Sequence, residues 1–413
     1  MKILALAVGT RGDVAPFTGL GTQLRNAGHQ FAIATQPRFA SLVTAAEIEY
    51  HPLPAAFLPF PGAGLVHQLK LFRHAADFIH EMGRGMMPLA AVDADVLLCP
   101  AITAPLGWQL AEATGALAVG AYLQPNHPTA EFAPSFGSGR SLGGLGNRAA
   151  GYLTLVLHNR MYAAAVKELR AELGLPPASV RAMRRRRERA CWPVMYGYSA
   201  AVVPRPADWR PGLEVVGNWW PSQGASNTRL PEELEEFLRA GPPPVFIGFG
   251  SMGAGEGERL SEIAVGALRL AGVRGVVQAG WAGLNAVGRD ILTVGEFPHP
   301  LLFPRTAAVV HHAGAGTTAA ALRAGVPAVT VPMMADQPFW ARRIAALGVG
   351  PAPISFERLT AERLAHAVTE ALGHSGYRAR ATTLASRLEA EDGAGKAVTL
   401  LERWVNEFSR LRE

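Results

Sequence analysis

The sequence predicts an α/β protein built as two successive doubly wound parallel sheets that face one another across a cleft. An apolar run at residues 2–8, a glycine-bearing loop at 9–16, a helix at 17–27 and a second apolar run at 30–35 open the chain as a βαβ unit, for which a parallel sheet is expected. The same order restarts at residue 245, after a stretch at 221–244 that holds SQGASN, an acidic segment and GPPP and marks the sharpest composition shift in the chain. Residues 311–340, HHAGAGTTAAALRAGVPAVTVPMMADQPFW, run through strand, glycine loop, helix, strand and loop again. Ligands of such folds lie beyond the carboxyl ends of the strands, so two units imply a site between them.

Each element follows from local pattern. After the first βαβ unit, residues 51–88 loosen around Pro52, Pro54, Pro59 and Pro61 and then read as a helix at 65–87 carrying Leu69, Phe72, Phe78, Ile79, Met82, Met86 and Met87. Such soft apolar side chains suit either a pocket for a greasy ligand or a helix packed on the sheet. Strands are expected at 96–100 and 117–122 around a helix at 104–114, then a proline-bounded loop, LQPNHPTAEF at 123–132, and a Gly/Ser-rich segment at 134–146. Helices follow to Gly174 and past Arg189; YGYSAAVVPRP at 196–206 reads as a strand entering a proline turn, and 215–220 closes the first half. In the second half the expectation is strands at 245–249, 275–279, 291–294, 307–310 and 328–331, and helices at 258–271, 317–324 and 339–348. A final amphipathic helix at 396–410, apolar at Val398, Leu401, Trp404, Val405 and Phe408, is placed to lie back across the first domain. The resulting division is 1–222 for the first domain, 223–244 for the linker, 245–395 for the second domain and 396–413 for the returning helix.

Composition bounds the function. A chain of 413 residues that is 49% hydrophobic can fill two cores. It has no apolar run of the ~18 residues needed to span a bilayer. The apolar start is too short, and followed too soon by Arg11 and Asp13, to read as a signal peptide, so it is taken as the first strand. Cys99 and Cys191 form no CxxC pair, and a reducing cytoplasm is the expected setting. The net charge of +6 is concentrated in RAMRRRRER at 181–189, which reads as a solvated helix face; weak membrane-surface contact is the other reading. No zinc-finger, RNP or basic-zipper pattern accompanies it, which argues against nucleic acid. The richness in Ala, Gly, Arg and Pro is that of a high-GC, bacterial type of coding sequence.

The chemistry-bearing residues sit at predicted strand ends. Gly314 and Gly316 allow close backbone approach, and the helix behind them presents free N–H groups suited to a phosphate. Asp336 and Gln337, past the next strand, are placed to bond hydroxyls, although Asp336 could equally cap the helix behind it. A phosphate grip beside a hydroxyl reader suggests a nucleotide sugar. A dinucleotide-binding domain fits poorly, because GTRGDVAP is not GxGxxG and the second strand ends in Ala34-Thr35-Gln36 with no acid for a ribose. Asp13 in that loop reads either as a helix cap or as a general base.

GTRGDVAP, LQPNHPTAEF, YGYSAAVVPRPADW, VFIGFGSM, GEFPHPLLFPRTAAVVHHAGAGTT and ADQPFW together resemble the family 1 glycosyltransferases of the GT-B fold, in the branch of sterol glucosyltransferases and bacterial antibiotic-aglycone glycosyltransferases. The resemblance covers essentially the whole chain. It implies a donor diphosphate held by Ser251, His312, Gly314, Gly316, Thr317 and Thr318, sugar hydroxyls read by Asp336 and Gln337, and a nucleoside pocket at Trp281, Phe297 and Pro298. Asp13 matches the family's catalytic base, with His312 meeting charge on the leaving group. The acceptor pocket is expected from Phe57, Phe72 and Met82 and from Gln124, Asn126 and Phe132. The implied reaction is inverting transfer from a UDP- or dTDP-sugar to a lipophilic hydroxyl compound, a polyketide, macrolide or sterol, without a metal ion. The chain departs from the family at Ala313, where glycine is usual, and at Met333-Met334. A nucleotide-sugar epimerase, a phosphorylase and a silent binding paralogue share the fold; the presence of Asp13, His312 and Asp336 favours the transferase. Acceptor identity, the base of the donor and the oligomeric state have no motif.

Overall fold

The computed structural model describes residues 1–55, 65–222, 229–250, 255–280 and 282–410, with the backbone alone for 65–74 and 180. In chain order the first half comprises β1 (Lys2–Leu6), α1 (Arg11–Asn26), β2 (Gln30–Thr35), α2 (Ala40–Thr44), β3 (Glu49–Pro52), α3 (Leu65–Met86), β4 (Val96–Cys99), α4 (Ala104–Thr114), β5 (Leu117–Tyr122), α5 (Gly143–Glu172), α6 (Val180–Arg189), β6 (Val194–Tyr196) and β7 (Leu213–Val215). The second half comprises α7 (Glu232–Arg239), β8 (Val245–Gly248), α8 (Gly257–Ala271), β9 (Gly275–Gln278), β10 (Ile291–Val294), α9 (His299–Leu302), β11 (Ala308–His311), α10 (Ala315–Arg323), β12 (Ala328–Thr330), α11 (Gln337–Ala346), α12 (Ala361–Gly373), α13 (Ser375–Glu389) and α14 (Gly393–Arg410).

Among the described residues these strands form two parallel sheets, seven strands in the order β3-β2-β1-β4-β5-β6-β7 and five in the order β10-β9-β8-β11-β12. Helices cover both faces, which is why the strands read as continuous apolar runs: β4, β5, β8, β9 and β11 are buried at every position. In the first sheet the strand order reverses at β1, which pairs Ile3 with Phe31 on one side and with Val96 on the other. In the second it reverses at β8, whose Gly248 lies beside His311 of β11. A crevice opens where the crossovers diverge, so the topology itself puts the loops after β1, β4, β8 and β11 at the binding positions.

Two expectations are corrected. The segment read as a loop at 9–16 is largely helix: α1 starts at Arg11, with Thr10 as N-cap and Asp13 in its first turn, and Pro16 lies inside it. The paired capping bonds between Thr10 and Asp13 start the helix before the proline can delay it. Likewise α10 begins at Ala315, two residues earlier than predicted, so that Ala315 and Gly316 belong to the helix and not to the loop. The last helix buries Ala397, Val398, Leu401 and Trp404 in one cluster with Val14, Phe17, Leu20 and Leu24 of α1. Among the described residues, no helix is long and apolar enough to cross a membrane.

Candidate active site between the two sheets

On the first sheet, the chain leaves β1 through Gly9, whose φ of +140° favours glycine; a Cβ there would stand 2.5 Å from Asp13 Oδ2. That close approach sets the carboxylate against the end of the strand. The Thr10 N–H (2.7 Å) and hydroxyl (2.8 Å) both donate to Oδ2, leaving Oδ1 with no such partner from the cap. Burial raises the Asp13 carboxyl above its usual range, opposed by the two Thr10 bonds and the Arg38 charge. Gln36, at the end of β2, accepts the Gly9 N–H at 2.9 Å and donates to the Ala55 carbonyl at 3.1 Å, so the position expected to hold an acid in a dinucleotide fold is a structural tie instead.

On the second sheet, His311 Nδ1 accepts the N–H of Ala313 at 3.1 Å and turns the chain out of β11. Ala313 is fully buried and sits at φ +62°, a left-handed conformation that costs an L-residue roughly 1–2 kcal/mol; the alanine departure is thus a strained backbone position and not merely an added methyl. The His312 ring lies between two glycines. A Cβ on Gly250 would be 2.9 Å from its Cε1, and one on Gly314 2.5 Å from its Nε2. Burial lowers the His312 pKa to about 4, so the ring is neutral at pH 7. Gly314 is the N-cap of α10 and carries no side chain to cap it, so the N–H groups of Ala315, Gly316 and Thr317 have no acceptor within the helix. Buried without a hydrogen-bond partner nearby are His312 Nδ1 and Thr318 Oγ1.

Asp336 is N-cap of α11 and accepts the Trp340 indole N–H at 2.8 Å. Its pKa is raised to about 6, first by burial and further by the Asp13 charge, with Trp340 and Gln124 opposing. The two carboxylates, from opposite sheets, therefore feel one another. Gln337 uses its side-chain carbonyl on the N–H groups of Met333 (2.8 Å) and Met334 (3.3 Å), fixing the loop and leaving its amide hydrogens for a ligand. Phe297 packs edge-on to Phe246 at 5.7 Å, and His299, held neutral with a pKa of about 4, stacks on Phe303 at 4.5 Å.

One cavity of about 1630 Å³ joins these groups. Its walls include Asp13, Gln124, Asn126, Phe132, Phe297, Pro298, His312, Gly314, Gly316, Thr317, Thr318, Asp336 and Gln337. Met82 is a correction: it is wholly buried in the core under the first sheet, where the apolar face of α3 packs, and does not reach the cavity. Phe57, Ser251 and Trp281 lie outside the described residues, as does the side chain of Phe72. Unforeseen in the sequence were Tyr152, His158 and Tyr162 of α5, Arg187 of α6, Gln278 at the end of β9, and Trp209, all on the cavity wall. The one legible signal was the i, i+4 pair His158 and Tyr162, whose rings lie 4.7 Å apart. Among the described residues, no group of three His, Cys, Asp or Glu side chains is arranged to hold a metal ion.

A model of the glycosyltransferase family 28 N-terminal domain matches residues 3–90, and one of the erythromycin biosynthesis protein CIII-like C-terminal domain matches 276–401. The structure of glycosyltransferase VinC in complex with DTDP is similar in fold, with a TM-score of 0.67 at 18% identity over 98% of this chain and 100% of that one. Sterol 3-beta-glucosyltransferase UGT80A2 of Arabidopsis thaliana is 32% identical over 96% of this chain, which spans 64% of that protein's length. O-mycaminosyltylonolide 6-deoxyallosyltransferase of Streptomyces fradiae is 35% identical, with 98% of each chain covered. The chain belongs to the GT-B glycosyltransferases. In this glycosyltransferase the start of α10 abuts the start of α1, a Cβ on Gly316 lying 3.7 Å from Gly12 Cα. A carboxylate able to take a proton and a helix start able to receive an anion therefore stand side by side across the interface.

Proposed function

We propose that the protein moves a hexosyl or deoxyhexosyl group from a UDP- or dTDP-sugar to a hydroxyl of a lipophilic acceptor, inverting the anomeric centre without a divalent metal. The observation that carries this reading is the adjacency of Asp13, with Oδ1 unused by its cap, and the uncapped start of α10. Asp13 takes the proton of the acceptor hydroxyl as its oxygen bonds to the anomeric carbon; the bond from that carbon to the diphosphate oxygen breaks, and its electron pair leaves with the nucleoside diphosphate. The departing anion meets the free N–H groups of α10 and the neutral His312 ring, which donates a hydrogen bond and not a charge. Asp336 and the Gln337 amide bind sugar hydroxyls, and Phe297 with Pro298 backs the nucleoside. On this reading the chain divides into 1–222, 223–244, 245–395 and 396–413, with the acceptor bound by the first domain and the donor by the second. The free thiols Cys99 and Cys191 support a cytoplasmic setting. DTDP in VinC and the sugar named for the Streptomyces relative support a nucleoside diphosphate donor.

A panel of UDP- and dTDP-sugars against polyketide, macrolide and sterol acceptors, read by mass spectrometry in chelator, tests the reading. Product carrying one added sugar is expected, and Asp13→Asn should lower kcat by about 10²–10⁴. Donor turnover without acceptor, or a strict metal requirement, would sink it.

A further inference from the structure

The basic run at 181–189 does not behave as one solvated face. Arg186 pairs with Glu112 at 3.1 Å, and Arg184 with Glu188 at 3.6 Å. Arg187 instead lies on the cavity wall, its guanidinium carbon 5.7 Å from both the Trp108 and the Trp192 ring centres, and its Nε is buried without a hydrogen-bond partner. Among the described residues it makes no ion pair within 4 Å. Four titratable groups around it are neutral: burial pushes the Cys99 thiol up to about 12 and the Tyr122 phenol well up, and holds His158 at about 4 and His127 at about 3, while Glu188 and Arg184 are the charges it feels along its own helix. Arg210, beside it on the same wall, spends its N–H groups on the carbonyls of Pro211 (2.8 Å) and Trp192 (2.6 Å), not on a carboxylate. Arg184, Arg187 and Arg210 line the cavity here with two carboxylates that are engaged elsewhere: Glu188 pairs with Arg184, and Asp208 accepts from the Thr129 hydroxyl at 2.6 Å and the Ala130 N–H at 2.9 Å.

A guanidinium half-withdrawn from water with its Nε unpartnered gains from a counter-charge, and its planar fork matches two carboxylate oxygens. We propose that this wall receives a carboxylate of the acceptor, so that the preferred acceptor is an amphipathic acid with an apolar skeleton, its hydroxyl presented to Asp13 and its carboxylate to Arg187. The proposal deepens the transferase reading and rests on it for the role of the cavity, but not for the binding itself.

The test uses cis-parinaric acid and its methyl ester, which share one apolar skeleton, and follows their fluorescence on binding to the full chain. The acid is expected to bind at least about tenfold tighter than the ester, the size of one charge-assisted pair. Arg187→Met should erase that preference by weakening the acid while leaving the ester within about twofold, Arg187→Lys should keep part of it, and exposed Arg185→Met should change neither. Equal binding of acid and ester, no saturable binding of the acid, or equal weakening of both by Arg187→Met would overturn the proposal; the last would mean that Arg187 only braces Trp108 and Trp192. If Arg187→Met fails to fold, judged by its affinity for thymidine diphosphate, Arg187→Lys carries the comparison. A donor panel that yields no product would defeat the transferase reading while leaving the acid–ester difference standing.

Discussion

Asp336 shows how the site holds chemistry against stability. Its carboxyl is raised from the ordinary 3.8 to about 6, chiefly by burial, so at neutral pH the folded chain carries a charge that the unfolded chain would hold more easily. Between those two values the native state binds more protons than the unfolded one. The stabilisation from protonating Asp336 is therefore full below the unfolded value and is lost as pH rises through about 6. Asp336→Asn keeps an oxygen for the Trp340 N–H and removes the buried charge, so its Tm should exceed that of the wild type at pH 7.5. The gap should shrink as pH falls from 6 toward 4. The same variant should lose sugar transfer, since the hydroxyl acceptor is weakened. Thermal scans across that pH range check the sign: a gap that widens on acidification would mean that Asp336 is stabilising as an anion.

At the scale of elements, Gly314→Ala isolates the contact between the α10 start and His312. Gly314 has φ −65° and ψ 147°, which alanine adopts freely, so the backbone raises no objection. The new Cβ would instead stand 2.5 Å from His312 Nε2 and displace the ring. The expectation is a kcat/KM about 10²-fold lower with a nearly unchanged Tm, measured by steady-state transfer and calorimetry; full activity would remove His312 from the leaving-group site. Most elements were legible before the structure: β2, α4, β5 and β10 fall where apolar runs and flanking breakers put them. What local pattern could not supply was the start of α1 and of α10, because Gly12, Pro16, Gly314 and Gly316 look like loop residues until Thr10 caps one helix and the turn at Ala313 begins the other. Strand-end residues were found, since topology places them. The α5 and α6 wall was missed because a helix pattern does not say which face meets a cavity: Arg187 and Arg186 are neighbours in sequence and face different surroundings.

For the whole molecule, transfer as proposed needs Asp13 of one half and His312 of the other in one cavity, and contacts between the halves hold their relative setting. Phe132 meets Phe339 edge-on at 5.4 Å, Arg343 donates to the Val202 carbonyl at 2.7 Å, and Ser199 donates to Glu391 at 2.7 Å just before α14. There the chain crosses back at two glycines: a Cβ on Gly393 would lie 2.4 Å from the Gly217 carbonyl carbon and 2.6 Å from the Asn218 oxygen. Both are backbone atoms and cannot swing aside, so Gly393→Ala must push α14 away from α1. Thymidine diphosphate binds, on the proposed reading, to the second half alone. Gly393→Ala should therefore keep its nucleotide affinity within about threefold while kcat/KM for transfer falls at least about tenfold, a 1 Å misplacement at the chemistry being worth up to 10²-fold. Gly373→Ala, where the added Cβ meets nothing within 4 Å, is the matched control and should be silent in both assays. Parallel loss of nucleotide binding and transfer in Gly393→Ala would show instead that α14 supports the fold of the donor half and not the setting of one half on the other.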